Sequence, residues 1–282
     1  MCMLPLLVVP LSRPGGHELV PGVCNGADGD ADDLYNGAQY ENYQLNAFVG
    51  HPEFHVSEIS RVAAANPDSI VGRLFNEASN RSDLMPILQT TEWNEKWKQF
   101  FMARLTTLVS EWNLPADARD VQCAVHVRAG DVIECDDHTV EEMLSKEAPC
   151  TPDVFAEGNC TSSGHVYVRP LQYFTEQFSQ PGVECDVVTL FAGSQFLNSS
   201  IRHGTEHSCA GREKSMRYLR AVRSHLCSLG FRTVTMRLGQ PPDDDFAALC
   251  RSKTFVGSGG GFDELVGLIR NQSKPTHAVV SD

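Results

Sequence analysis

CAVHVRAGDVIE, residues 123–134, begins as a buried strand and ends as a turn. Cys123, Ala124, Val125 and Val127 make a short apolar run that Gly130 closes, the pattern of a strand covered on both faces. His126 and Arg128 interrupt that run. Side chains two residues apart on a strand share a face, so a strand over 121–128 points both the same way at its exit. Gly130 permits a tight turn there, and Asp131 follows where it can pair with Arg128 or His126.

The chain around this strand alternates. A helix is expected near 171–179, then a strand at 186–192. A long helix follows at 213–229, stopped by Gly230, and then a strand at 231–238. Pro241 and Pro242 open a helix through DDDFAALCRS, KTFVGS reads as a short buried strand, and GGGFDELVGLIR turns into a helix. THAVVSD is a candidate last strand. This alternation predicts an α/β fold, a Rossmann-like parallel sheet with helices on both faces, over 116–282. A loop carrying Cys135, Cys150 and Cys160 is inserted at about 134–165 and reads as a segment stapled by a disulfide.

Residues 1–115 form the other region, irregular at first and then helical. Residues 1–50 are rich in Gly, Asp and Asn with little periodicity. NGADGDADD at 25–33 lacks the spaced ligands and closing glutamate of a calcium loop. From 56 to 112 the pattern is helical. Trp93, Trp97, Phe100, Phe101, Leu105, Leu108 and Trp112 fall on one face, and core packing explains them better than an aromatic binding stripe. Leu114-Pro115 ends this helix.

A formal net charge of -13 over 282 residues argues against a nucleic-acid partner and against a polybasic membrane clamp. No apolar run approaches the roughly 18 residues of a membrane span. MCMLPLLVVPLSR at the start reads either as a weak signal segment or as a first strand. None of the ten cysteines forms a CxxC pair, which disfavours zinc knuckles and thioredoxin-type sites. Sequons at Asn80, Asn159, Asn198 and Asn271, with the cysteine-bearing insertion, point to an oxidising secretory compartment. Chance sequons and buried cytoplasmic thiols are the alternative.

Ligands of open parallel sheets bind at the carboxyl ends of the strands, and three features fall there. Arg128 offers a planar fork of donors for phosphate, or else ties down a loop with Asp131. VGSGGGF, residues 256–262, exposes backbone amides at a helix start, which suits an anion. It has neither the Lys of a Walker motif nor dinucleotide spacing. Asp243, Asp244 and Asp245 open a helix, where acids cap, and one of them is a candidate acceptor for the two donors of a guanine edge. Together these describe a nucleotide-diphosphate pocket.

HVRAGD at 126–131 resembles the H-x-R-x-G/T-D motif of the α1,2-, α1,6- and protein O-fucosyltransferases. DFAALCRSKTFVGSGGGF at 245–262 looks like their second signature, and the similarity covers about 120–270, the nucleotide-binding lobe of a GT-B fold. The resemblance implies an inverting, metal-independent transferase of the ER or Golgi lumen. GDP-fucose would be its donor, with no further cofactor, and a glycan or protein hydroxyl its acceptor. On that reading Arg128 binds the β-phosphate, Asp245 holds guanine with His126 nearby, and Gly130 shapes the first turn. Ser258, Gly259, Gly260, Gly261 and Phe262 hold the phosphates, and Asp131 or Glu134 is the base. The sequence departs from the family where serines usually stand in the last turn, at Gly259, Gly260 and Gly261, with Asp263 bringing a negative charge close by. It also shows none of the G-G-L-G-N-Q pattern of the α1,2 group in its first 115 residues. A different nucleotide sugar, or a non-catalytic protein keeping the fold to bind glycans or a partner, are the competing readings.

Overall fold

The computed structural model describes residues 63–64, 66–83, 95–134, 138–145, 168–192, 194–195 and 213–273. Its centre is a four-stranded, all-parallel sheet of β1 (Cys123–His126), β3 (Val187–Ala192), β5 (Thr233–Leu238) and β6 (Thr254–Gly257), in the order β5-β3-β1-β6. A second, two-stranded parallel ladder joins β2 (Ala129–Gly130) to β4 (Ser194–Gln195). The main sheet and its flanking helices are the expected Rossmann-like α/β arrangement.

Both faces of the sheet are covered, which is why its strands read as continuous apolar runs. Ala124 and Phe191 belong to a core built with α1 (Ile70–Ser79), α2 (Glu95–Glu111), α8 (Pro242–Arg251) and α9 (Gly261–Ser273). Cys123, Val125, Val188, Leu190, Val234 and Val256 belong to the opposite core. There they meet α4 (Asp131–Glu134), α5 (Val140–Ser145), α6 (Leu171–Phe178) and α7 (Glu213–Ser228). Helices from the first 115 residues therefore share a hydrophobic core with α8 and α9.

In α2, Phe101, Leu105 and Leu108 are buried, and Phe100 and Trp112 pack against the same core, so the stripe is packing surface. Trp93 and the side chain of Trp97 lie outside the described residues. Arg104 clamps α2 to α1 through both oxygens of Glu77, at 2.5 and 2.7 Å.

Two expectations need correction. The strand through residue 123 ends at His126, not at 128. Val127 still donates to Phe191 O (2.9 Å), but Arg128 lies in the connector beyond the ladder. Nor is the insertion at 134–165 wholly irregular. Glu134 closes α4, and α5 is begun by a reciprocal cap in which Thr139 and Glu142 bond each other's amides. Cys135, Cys150, Cys160, the first 62 residues and the candidate last strand lie outside the described residues, as do Asn159 and Asn198.

The disulfide that is described joins Cys123 of β1 to Cys185 just before β3, with Cα atoms 6.1 Å apart. It ties the start of β1 to the segment that enters β3. Cys227 is also disulfide-bonded, and Cys250 is a buried free thiol.

Candidate functional site

β1 occupies the topological switch point of the sheet. The helices that follow β1 pack on one face, and α9, which follows its neighbour β6, packs on the other. Chains departing in opposite directions leave a crevice at the carboxyl ends of such adjacent strands. HVRAGD and GSGGGF are the two segments that leave those ends.

Register places Gly257, His126, Phe191 and Arg237 in one row across the sheet at the end of β1 and β6, all on the α8–α9 face. Neighbouring strands lie about 4.8 Å apart, so His126 and Arg237 stand roughly 10 Å apart along this row. Each of the two holds an acid from the helix above it.

Ser258 joins the two segments at the switch point. Its amide donates to His126 O (3.0 Å), and its hydroxyl accepts from the Arg128 amide (3.0 Å). Its carbonyl accepts from Arg169 Nε (2.8 Å). The serine is 1% exposed. Past it, Gly259 and Gly260 take φ of 108° and 92°, in the left-handed region that glycine tolerates without strain. The chain then enters α9 at Gly261.

The partner of His126 was not anticipated. Nδ1 lies 2.5 Å from Asp263 Oδ1, and both side chains are more than nine-tenths buried. A carboxylate only accepts, so Nδ1 carries the proton. Asp263 also accepts the Gly259 amide through Oδ2 (2.7 Å). An acid at the third position of a helix reaching back to a preceding amide is a capping device legible in GGGFDEL. The same carboxylate packs over Gly257, where a Cβ would stand 2.6 Å from Oδ2. Phe262 lies 5.0 Å from the His126 ring and 5.6 Å from Phe246, facing the core side of the turn.

The acids at 243–245 stand in the first turn of α8, where they suit its dipole, and its N-cap is Pro241, with no side-chain cap bond. Asp243 Oδ2 instead takes the first amide of α1, Ile70 N (3.1 Å). Asp244 Oδ1 takes Trp112 Nε1 (2.8 Å). Asp245 is fully buried, with Oδ1 2.7 Å from Arg237 Nε, and Arg237 also reaches Asp117. The candidate guanine acid is thus engaged by an arginine that the sequence reading did not single out.

Gly130 turns with φ 86° and donates to Ser215 Oγ (3.2 Å). Glu134 accepts from Ser215 N (2.7 Å), so it caps the start of α7. Asp131 opens α4, and its side chain lies outside the described residues.

Two further residues line this turn without having been read from the sequence. Arg169 stacks on Tyr173, with the guanidinium 5.1 Å from the ring centre, and Tyr173 Oη donates to Gly257 O (2.6 Å). Burial raises the Tyr173 phenol above its ordinary pKa. The Arg169 charge opposes that shift and Asp263 adds to it. Their signal, RPLQY after a cysteine-bearing segment, has no spacing that ties it to a turn 84 to 89 residues away.

No protein-family model matches the chain, and no curated protein or solved structure matches it either.

Proposed function

We propose that the chain is an inverting glycosyltransferase of GT-B type that moves fucose from GDP-fucose to a glycan or protein hydroxyl. One observation carries the reading. The arginine segment after β1 and the glycine turn after β6 meet at the switch point and are bonded through Ser258. An arginine whose backbone is tied to a glycine turn at a helix start suits the pyrophosphate of a sugar nucleotide.

In this mechanism the acceptor oxygen attacks the anomeric carbon from the face opposite the phosphate. The bond from that carbon to the β-phosphate oxygen breaks, and its electron pair leaves with GDP. Arg128 stabilises the charge that develops there. The acceptor's proton passes to a carboxylate. Glu134 is already bonded to the Ser215 amide, which favours Asp131 for that task. The Cys123–Cys185 disulfide supports placing the chain in the oxidising lumen of the ER or Golgi, where such donors are used.

A second reading is favoured by specific contacts. The Asp263 carboxylate already takes the Gly259 amide, and Asp245 is buried against Arg237. A non-catalytic chain that keeps the fold to bind glycans or a partner would tolerate both. Calorimetric titration with GDP, with UDP as control, separates the readings. Binding of GDP that Arg128→Ala abolishes supports the transferase, and turnover on an acceptor panel completes it. A folded chain that binds neither nucleotide sinks it.

A further inference from the structure

Arg169 is held more tightly than a surface arginine needs. Its amide donates to Tyr218 Oη (3.0 Å), and that hydroxyl donates back to Arg169 O. Tyr218 is fully buried in the α7 layer, and burial raises its phenol well above the ordinary value, so its proton stays in place. Pro170 follows and fixes the next φ. The side chain is braced as well, by Nε on Ser258 O (2.8 Å) and by the face of Tyr173.

This bracing uses only one edge of the guanidinium. Among the described residues, no carboxylate pairs with Arg169 and nothing accepts from its two Nη groups. Arg237 and Arg104 meet acids, whereas Arg251 and Arg270 spread their Nε and Nη donors over backbone carbonyls; Arg169 uses Nε alone. A half-buried arginine whose Nη groups meet no acceptor among the described residues is poised for an anion from outside. Its position is fixed by the carbonyl of Ser258, whose hydroxyl fixes the Arg128 amide. Glycine amides of the turn follow directly.

We propose that Arg169 is a second phosphate-binding residue of this crevice, presenting its Nη fork to the terminal phosphate of a nucleoside diphosphate. The inference rests on the switch point being the nucleotide site. It adds the cation that offsets Asp263. With Arg128 the turn then carries two positive charges against one carboxylate.

The test titrates wild type, Arg169→Gln and Arg169→Lys with inorganic pyrophosphate, GDP and guanosine. A charge-assisted bond lost from a bound anion weakens affinity roughly tenfold to a hundredfold. Arg169→Gln should lose that much for pyrophosphate and GDP, Arg169→Lys less, and guanosine should bind all three proteins alike. A role confined to bracing the turn would instead weaken guanosine equally, and that result overturns the proposal. So does unchanged pyrophosphate affinity in Arg169→Gln, or a wild type that binds none of the anions. Pyrophosphate binding that depends on Arg169, without GDP preference, upholds this residue while removing GDP-fucose as the donor.

Discussion

Asp263 and His126 face each other across the switch point at 2.5 Å, and the same carboxylate holds the Gly259 amide at 2.7 Å. The turn after β6 therefore carries its own anion. Replacing Asp263 with Asn removes that charge and leaves one of the two buried donors poorly matched. The fold should lose about 1–3 kcal/mol, read by urea unfolding. Anion affinity should move the other way, several-fold tighter for GDP, because the competing charge is gone. Weaker GDP binding in a folded Asp263→Asn protein would show that the carboxylate serves the ligand rather than rivals it.

The buried cluster around Arg237 separates two kinds of ion pair. Asp245 is 1% exposed at its side chain and Asp117 is 66% exposed. Removing one member of a buried pair strands a charge, and Asp245→Ala should cost about 3–5 kcal/mol. Asp117→Ala, at the wet edge, should cost no more than about 1 kcal/mol. Chemical denaturation of the two variants checks the order. Equal costs would mean that Asp117 or Asp244 replaces Asp245 as the partner of Arg237.

The sheet was legible because a doubly covered parallel strand is apolar throughout. VVTLFA and TFVG admit little else, and Gly230 and Pro242 mark the ends of helices by backbone chemistry alone. The site was legible only by segment. HVRAGD and GSGGGF were readable as strand exits, but their adjacency depends on strand order, which no local pattern encodes. His126 finds Asp263 across 137 residues, and Arg169 finds Ser258 across 89. The three acids of α8 show the same limit. Position suggested capping, yet packing against α1, Trp112 and Arg237 decided their partners. The capping pair Thr139–Glu142 was present in the sequence as T-x-x-E, hidden by the loop-like composition around it.

His225 gives a pH dependence with a definite sign. Its Nε2 bonds Thr175 Oγ1 at 2.8 Å between α7 and α6, and burial lowers its pKa below the ordinary 6.5. The unfolded chain then binds the proton more readily than the folded one. The stabilising contribution is complete above about pH 6.5 and is lost as pH falls from there through the lower folded value. Melting temperature should drop between pH 7.5 and 5.5, and His225→Gln should flatten that drop. An unchanged pH profile in the variant would assign the acid sensitivity to other groups.

The Cys123–Cys185 bond closes a loop 62 residues long between the two central strands. On the chain-entropy account, a cross-link of that span removes about 4 kcal/mol of disorder from the unfolded state. Both cysteines are buried, so the folded state should keep its contacts when the bond is absent. Thiol reduction should therefore lower the unfolding free energy, read by urea, by at least most of that amount, the Cys227 bond breaking as well, without changing the native circular dichroism. The double variant Cys123→Ala, Cys185→Ala should fall slightly further, since two sulfur atoms leave the core. Reduction in the double variant should then have no effect at this pair. A single midpoint shared by oxidised and reduced wild type would mean that the two sulfurs stay as thiols, and the placement in an oxidising lumen would lose its structural support.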